Sequence, residues 1–116
     1  MTATLAKDQL TEVAELWPGA ATAVEGAVTF VLLPGVALPD GVTPAACDLL
    51  LCPSERDGYP CRLYFGVQIQ GGPTQNWHVQ GVRILEQPWW AFSWRIPPGL
   101  RLAQMVEAHL SGLRRS

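Results

Sequence analysis

The sequence predicts an α+β domain in which two amphipathic helices, one at each end, cover an antiparallel meander of three to four strands. Three observations carry this expectation. Apolar residues fall at helical spacing near both termini. Between them lie β-rich segments that are alternating or wholly apolar, and short Pro/Gly/Asp turns join those segments, which makes neighbouring strands antiparallel.

The first helix spans residues 4–17, where Leu10, Val13, Ala14 and Trp17 share a face before Trp17-Pro18-Gly19 stops the run. "AVTFVLLPGVALP" follows as a strand interrupted at Pro34-Gly35, and "PDG" turns the chain. "ACDLLLCP" is apolar on both faces, the pattern of a buried central strand. After the tight turn at Asp57-Gly58, "RLYFGVQI" alternates through Leu63, Phe65, Val67 and Ile69 and reads as a third strand. "QGGPTQN" is loop, "GVRIL" a short strand or extended piece, and "PWWAFSWRI" an aromatic-dense stretch that has to pack. The closing helix covers residues 100–113, with Leu102, Val106, His109, Leu110 and Leu113 on its apolar face. Arg114 and Arg115 end it, where cations suit the helix dipole.

With 116 residues, 48% hydrophobic and 16% charged, the chain is expected to form one domain, 1–116, around one core. A net charge of −2 argues against nucleic acid or an anionic membrane as the main partner. No apolar run approaches the roughly 20 residues of a membrane span, and the N-terminus lacks a signal peptide's layout. Three cysteines without a disulfide framework suit a reducing compartment, so a cytoplasmic protein is expected.

Candidate chemistry is sparse. A reactive cysteine needs a stabilised thiolate. Cys61 has Arg62 beside it, but adjacent strand residues point to opposite faces. Cys47 and Cys52 bracket the most apolar strand and read as core. Those two cannot face one ion without a bend, so no zinc site is expected with His78 or His109. His109 lies on an apolar helix face, whereas His78 follows a loop and is open to a functional role. Trp77, Trp89, Trp90 and Trp94 form either core or a ligand platform. With no Gly-rich phosphate loop, paired carboxylates or Ser-His-Asp arrangement, no cofactor is expected.

The order of parts nevertheless resembles the ubiquitin-conjugating-enzyme fold. The resemblance is to the bacterial relatives encoded beside ThiF-like activating enzymes, ubiquitin-like proteins and JAB peptidases. Tyr59-Pro60 is similar to that family's Tyr-Pro turn into the third strand; "WWAFSW" and "GLRLAQMVEAHLSGL" resemble its tryptophan region and following helix. The likeness covers about residues 5–113. In that family a His-Pro-Asn element is followed by a cysteine that carries the ubiquitin-like protein as a thioester. Here "NWHVQGVRIL" holds Asn76 and His78 in changed order without the Pro, and Arg83 stands where the cysteine is expected. Residues 62–116 contain no cysteine.

The resemblance therefore implies a conjugating-enzyme-like protein without the usual catalytic thiol. It would be an adaptor that binds an activating enzyme or a ubiquitin-like protein. Its interaction candidates are Lys7, Asp8, Glu12 and Glu15 on the first helix, with Tyr59, Asn76, His78 and Arg83. Two alternatives stay open. One is an active carrier using Cys61, or an oxyester at Ser93 or Ser54; the other is an aromatic-lined domain for a small ligand or peptide.

Overall fold

A six-stranded antiparallel sheet, curled into a half-barrel, forms most of the computed structural model, which describes residues 6–56 and 58–114. Helix α1 (Lys7–Leu16) leads, followed by strands β1 (Ala21–Glu25), β2 (Val28–Ala37), β3 (Val42–Thr43) and β4 (Ala46–Cys52). Then come β5 (Arg62–Phe65), β6 (Gln70–Gly71), β7 (Val79–Ile84) and β8 (Gln87–Ala91). Helix α2 (Leu102–Leu110) closes the chain, running into a 3-10 turn over Ser111–Leu113. Strand order in the main sheet is β1-β2-β4-β5-β8-β7, and β3 pairs with β6 in a separate two-stranded ribbon.

This corrects the expected meander of three to four strands. The conjugating-enzyme-like architecture does not hold, because two hairpins add β1 and β8, which the sequence reading lacked; the short piece "GVRIL" falls largely within β7. The β1–β2 hairpin turns at Gly26, whose φ of +62° takes the first central place of a two-residue turn. The β7–β8 hairpin turns at Leu85 and Glu86, both with positive φ (52° and 65°) and neither of them Gly or Asn. The chain then enters the sheet out of order, since β8 pairs with β5 and leaves β7 at the edge. At that turn Leu85 N donates to Glu25 Oε1 at 2.9 Å. Strands β1 and β7 lie at opposite edges of the sheet, so this bond can form only if the sheet curls.

Curling buries both faces. Outside the curl, Val31, Leu33, Leu49, Leu51, Leu63 and Phe65 pack beneath the helices, which contribute Val13, Val106 and Leu110. Inside, Phe30, Leu50, Tyr64, Ile84 and Trp89 form a second core. Ladder partners obey the pleat: Leu49 faces Phe65 and Leu51 faces Leu63 on the outer side, while Leu50 faces Tyr64 inside. Strand β4 is the buried central strand that its sequence predicts, although Ala46 and Asp48 are exposed. Strand β5 is shorter than expected and buried at all four residues. Beyond it Val67 is exposed and Ile69 buried outside any strand.

The helices match their expected positions more closely. Positions 4 and 5 of the first helix, Arg115 after the second, and Asp57 of the tight turn lie outside the described residues. Pro18-Gly19 ends α1 as expected, but Ala14 is exposed and Leu16 stands in solvent. All five residues assigned to the apolar face of α2 are buried. Gln9 Oε1 accepts a hydrogen bond from Leu102 N at 2.9 Å, so a side chain of α1 satisfies an orphan donor at the start of α2. Arg101 adds ion pairs to Asp8 (3.1 Å) and Glu12 (3.2 Å), which are exposed and contribute little. No helix among the described residues is long and apolar enough to cross a membrane.

Two stability measurements follow from this arrangement. Phe65→Ala should lower stability by about 3–5 kcal/mol in urea unfolding, since the ring is fully buried between sheet and helix. Glu86→Gly should raise it by about 1 kcal/mol, because it relieves a left-handed backbone at an exposed position. A Glu86→Gly variant less stable than the parent would contradict the assigned turn.

Candidate functional site

The site begins at the turn before β5. Arg56 and Tyr59 exchange two backbone hydrogen bonds of 3.0 Å, and Gly58 at φ +84° supplies the left-handed residue that closes the turn. This brings Tyr59 to the mouth of the sheet. Three residues on, Arg62 enters the strand on the inner face, opposite Cys52, with 2% of its surface exposed. A buried guanidinium needs partners. It lies 4.5 Å from the Tyr59 ring centroid, and its Nη2 is 2.9 Å from His78 Nε2.

His78 reaches it from the loop before β7, which one carbonyl holds in place. Asn76 O accepts hydrogen bonds from both His78 N and Ser93 N, each 2.9 Å long. The loop is thereby pinned to the chain just past β8. Ser93 Oγ then lies 3.0 Å from His78 Nδ1, 2.9 Å from the Tyr59 hydroxyl that donates to it, and 3.3 Å from Asn76 Nδ2.

Proton positions follow from donor chemistry. Arg62 can only donate, so His78 Nε2 must accept, and the ring proton sits on Nδ1. Nδ1–H then donates to Ser93 Oγ. The pair has the spacing of a Ser–His nucleophile but runs in the opposite sense, since the imidazole cannot remove a proton from the hydroxyl it donates to. Ser93 Oγ is an acceptor inside the cluster, taking bonds from Tyr59, His78 and Asn76.

Outward lies a cleft of about 340 Å³ lined by Tyr59, Ser93, Trp94 and Arg95. The Arg95 guanidinium stacks over Tyr59 at 4.9 Å, on a ring that Arg62 also approaches. Among the described residues Arg95 has no carboxylate in ion-pair range. Trp94 is tied down through its indole N–H to Ala108 O at 2.8 Å and packs edge-on against Phe92.

The sequence candidates divide accordingly. Tyr59, Asn76 and His78 converge, as does Ser93. Arg83 is exposed on β7 opposite Pro88 and joins none of the cluster's bonds. Asp8 and Glu12 are engaged by Arg101, while Lys7 and Glu15 stand exposed on α1. Arg101 also holds the Asp8 carboxyl below its usual range. Ser54 lies beside Cys52, whose thiol donates to the Ser54 carbonyl at 3.5 Å. Of the tryptophans, Trp89 is core and Trp77 packs on Phe65 and Phe92, whereas Trp90 and Trp94 are half-buried. Arg95 escaped the sequence reading, and Arg62 entered it only as the neighbour of Cys61. The available signal was an arginine inside the otherwise apolar run "CRLYF".

The cysteines offer a poor nucleophile. All three are buried and free, and burial pushes the Cys61 and Cys47 thiols up to about 11. Among the described residues, no three His, Cys, Asp or Glu side chains gather into a metal-binding group.

His109 is the second histidine near β5. Its Nδ1 donates to Met105 O at 2.7 Å. Burial lowers its pKa below the ordinary 6.5, and the charge of Arg62 adds to that, against hydrogen bonds to the Met105 and Cys61 backbone. The unfolded chain therefore binds a proton more readily, so His109's contribution is complete above pH 6.5 and is lost as the pH falls below it. Urea midpoints should drop between about pH 7.5 and about pH 5, and drop less in His109→Gln. Identical slopes in parent and variant would contradict a buried neutral imidazole.

The chain matches no protein-family model, no curated protein and no solved structure, so its site is read from its own geometry.

Proposed function

We propose that this is a non-catalytic binding domain, an adaptor that receives a short segment of a protein partner in the Tyr59–Trp94 cleft. The observation that carries the reading is the direction of the hydrogen bonds around Ser93. Of the two hydroxyls at the cleft, Tyr59 gives its proton to Ser93, and Ser93 accepts from His78 and Tyr59 rather than giving its proton to the imidazole. Cys61, the alternative acceptor for a ubiquitin-like protein, is buried and protonated at neutral pH. What remains is a half-buried aromatic surface beside Arg95, a guanidinium with no carboxylate in ion-pair range among the described residues, which is recognition chemistry.

The partners to try first are those implied by the sequence resemblance, a ubiquitin-like protein and a ThiF-like activating enzyme in the cytoplasm. Their support is the sequence motif, independent of the corrected fold. Calorimetry with each purified partner should give saturable binding at tens of micromolar, weakened about tenfold by Arg95→Glu and unchanged by Lys7→Ala. Absence of binding to both at roughly 100 µM would remove these partners. A thiol-labile adduct formed with activating enzyme and ATP, and lost in Cys61→Ala, would overturn the non-catalytic reading.

A further inference from the structure

We infer that the cleft recognises the free C-terminal carboxylate of a peptide, an inference that rests on the binding reading above. Two donors face the opening. Arg95 carries a full positive charge with no carboxylate partner among the described residues, and its guanidinium carbon lies over the Tyr59 ring, 4.9 Å from the centroid. Ser93 lines the same cleft, and its oxygen accepts from the Tyr59 hydroxyl, His78 Nδ1–H and, at 3.3 Å, Asn76 Nδ2, so its own O–H is the donor it has left to offer a ligand. A planar fork beside a neutral hydroxyl matches a carboxylate, which takes charge-assisted bonds from guanidinium and a further bond from the hydroxyl.

Charge and size select among anions. Arg95 is one compensating charge at the surface. The second guanidinium, Arg62, also approaches the Tyr59 ring but is buried and bonded to His78. A monoanion is therefore balanced, whereas a phosphate near two negative charges is not. The cleft's roughly 340 Å³ lies at the small end of ligand pockets and admits a chain terminus of small residues rather than a folded surface. Trp94 and Tyr59 wall the opening, so the last peptide planes would lie against aromatic faces.

The probes are N-acetyl-triglycine with a free carboxylate, the same peptide as its C-terminal amide, and inorganic phosphate. Each is titrated into the intact 15N-labelled protein and followed by NMR. The acid should shift the Ser93 and Arg95 amides and the Trp94 indole saturably, with the amide at least about tenfold weaker. Arg95→Gln should abolish the difference between acid and amide. Equal shifts by acid and amide at the cleft would overturn the carboxylate inference while leaving the binding reading intact. Phosphate binding as tightly as the acid would reassign the anion. No shift at the cleft with either peptide would overturn both.

Discussion

A guanidinium can only donate hydrogen bonds, and Arg62 carries one to a place where almost no water reaches. Everything around it has to accept or offer a π face. The Tyr59 ring does the second and His78 Nε2 the first. That choice sets the imidazole tautomer, the tautomer sets the sense of the bond to Ser93, and the sense of that bond makes the serine oxygen an acceptor within the cluster. Removing one partner from such a buried charge typically costs about 3–5 kcal/mol, so the geometry is held rather than sampled.

The sheet is what puts Arg62 there. Strand β5 is central and covered on both sides, by helices outside the curl and by the β7–β8 hairpin inside it. The same hairpin brings β8 against β5 and ends at Ala91, two residues before Ser93, while the loop before β7 brings His78. A flat meander would leave the inner face of Phe30, Leu50 and Tyr64 in water and would hold Arg62 and His78 apart. Fold and site thus share one cause, the closing of the hairpin over the second face.

How much of this was legible depended on whether a signal was local. The helices were readable because Val13, Val106 and Leu110 repeat at helical spacing, and β4 because "DLLLC" is apolar on both faces. The β7–β8 hairpin was hidden by its turn: Leu85 and Glu86 adopt left-handed backbone without the Gly or Asn that announces it. Its stability comes instead from Leu85 packing on the inner core and from the bond to Glu25, a residue 60 positions away. Tyr59 and His78 could be singled out by their neighbours in sequence, whereas their convergence on Ser93 and Arg62 depends on the out-of-order strand. Lacking that strand, the sequence read as a shorter meander and grouped Arg83 with Asn76 and His78, whereas Arg83 lies exposed on β7 apart from their cluster.

The most direct test of this account is the position of one proton. Long-range 1H–15N correlation of the imidazole resonances distinguishes the two neutral tautomers of His78. The account predicts the proton on Nδ1 and a bare Nε2 facing Arg62. A proton on Nε2 would contradict it, because the 2.9 Å contact with Arg62 would then set two donors against each other, and Ser93 would regain a base.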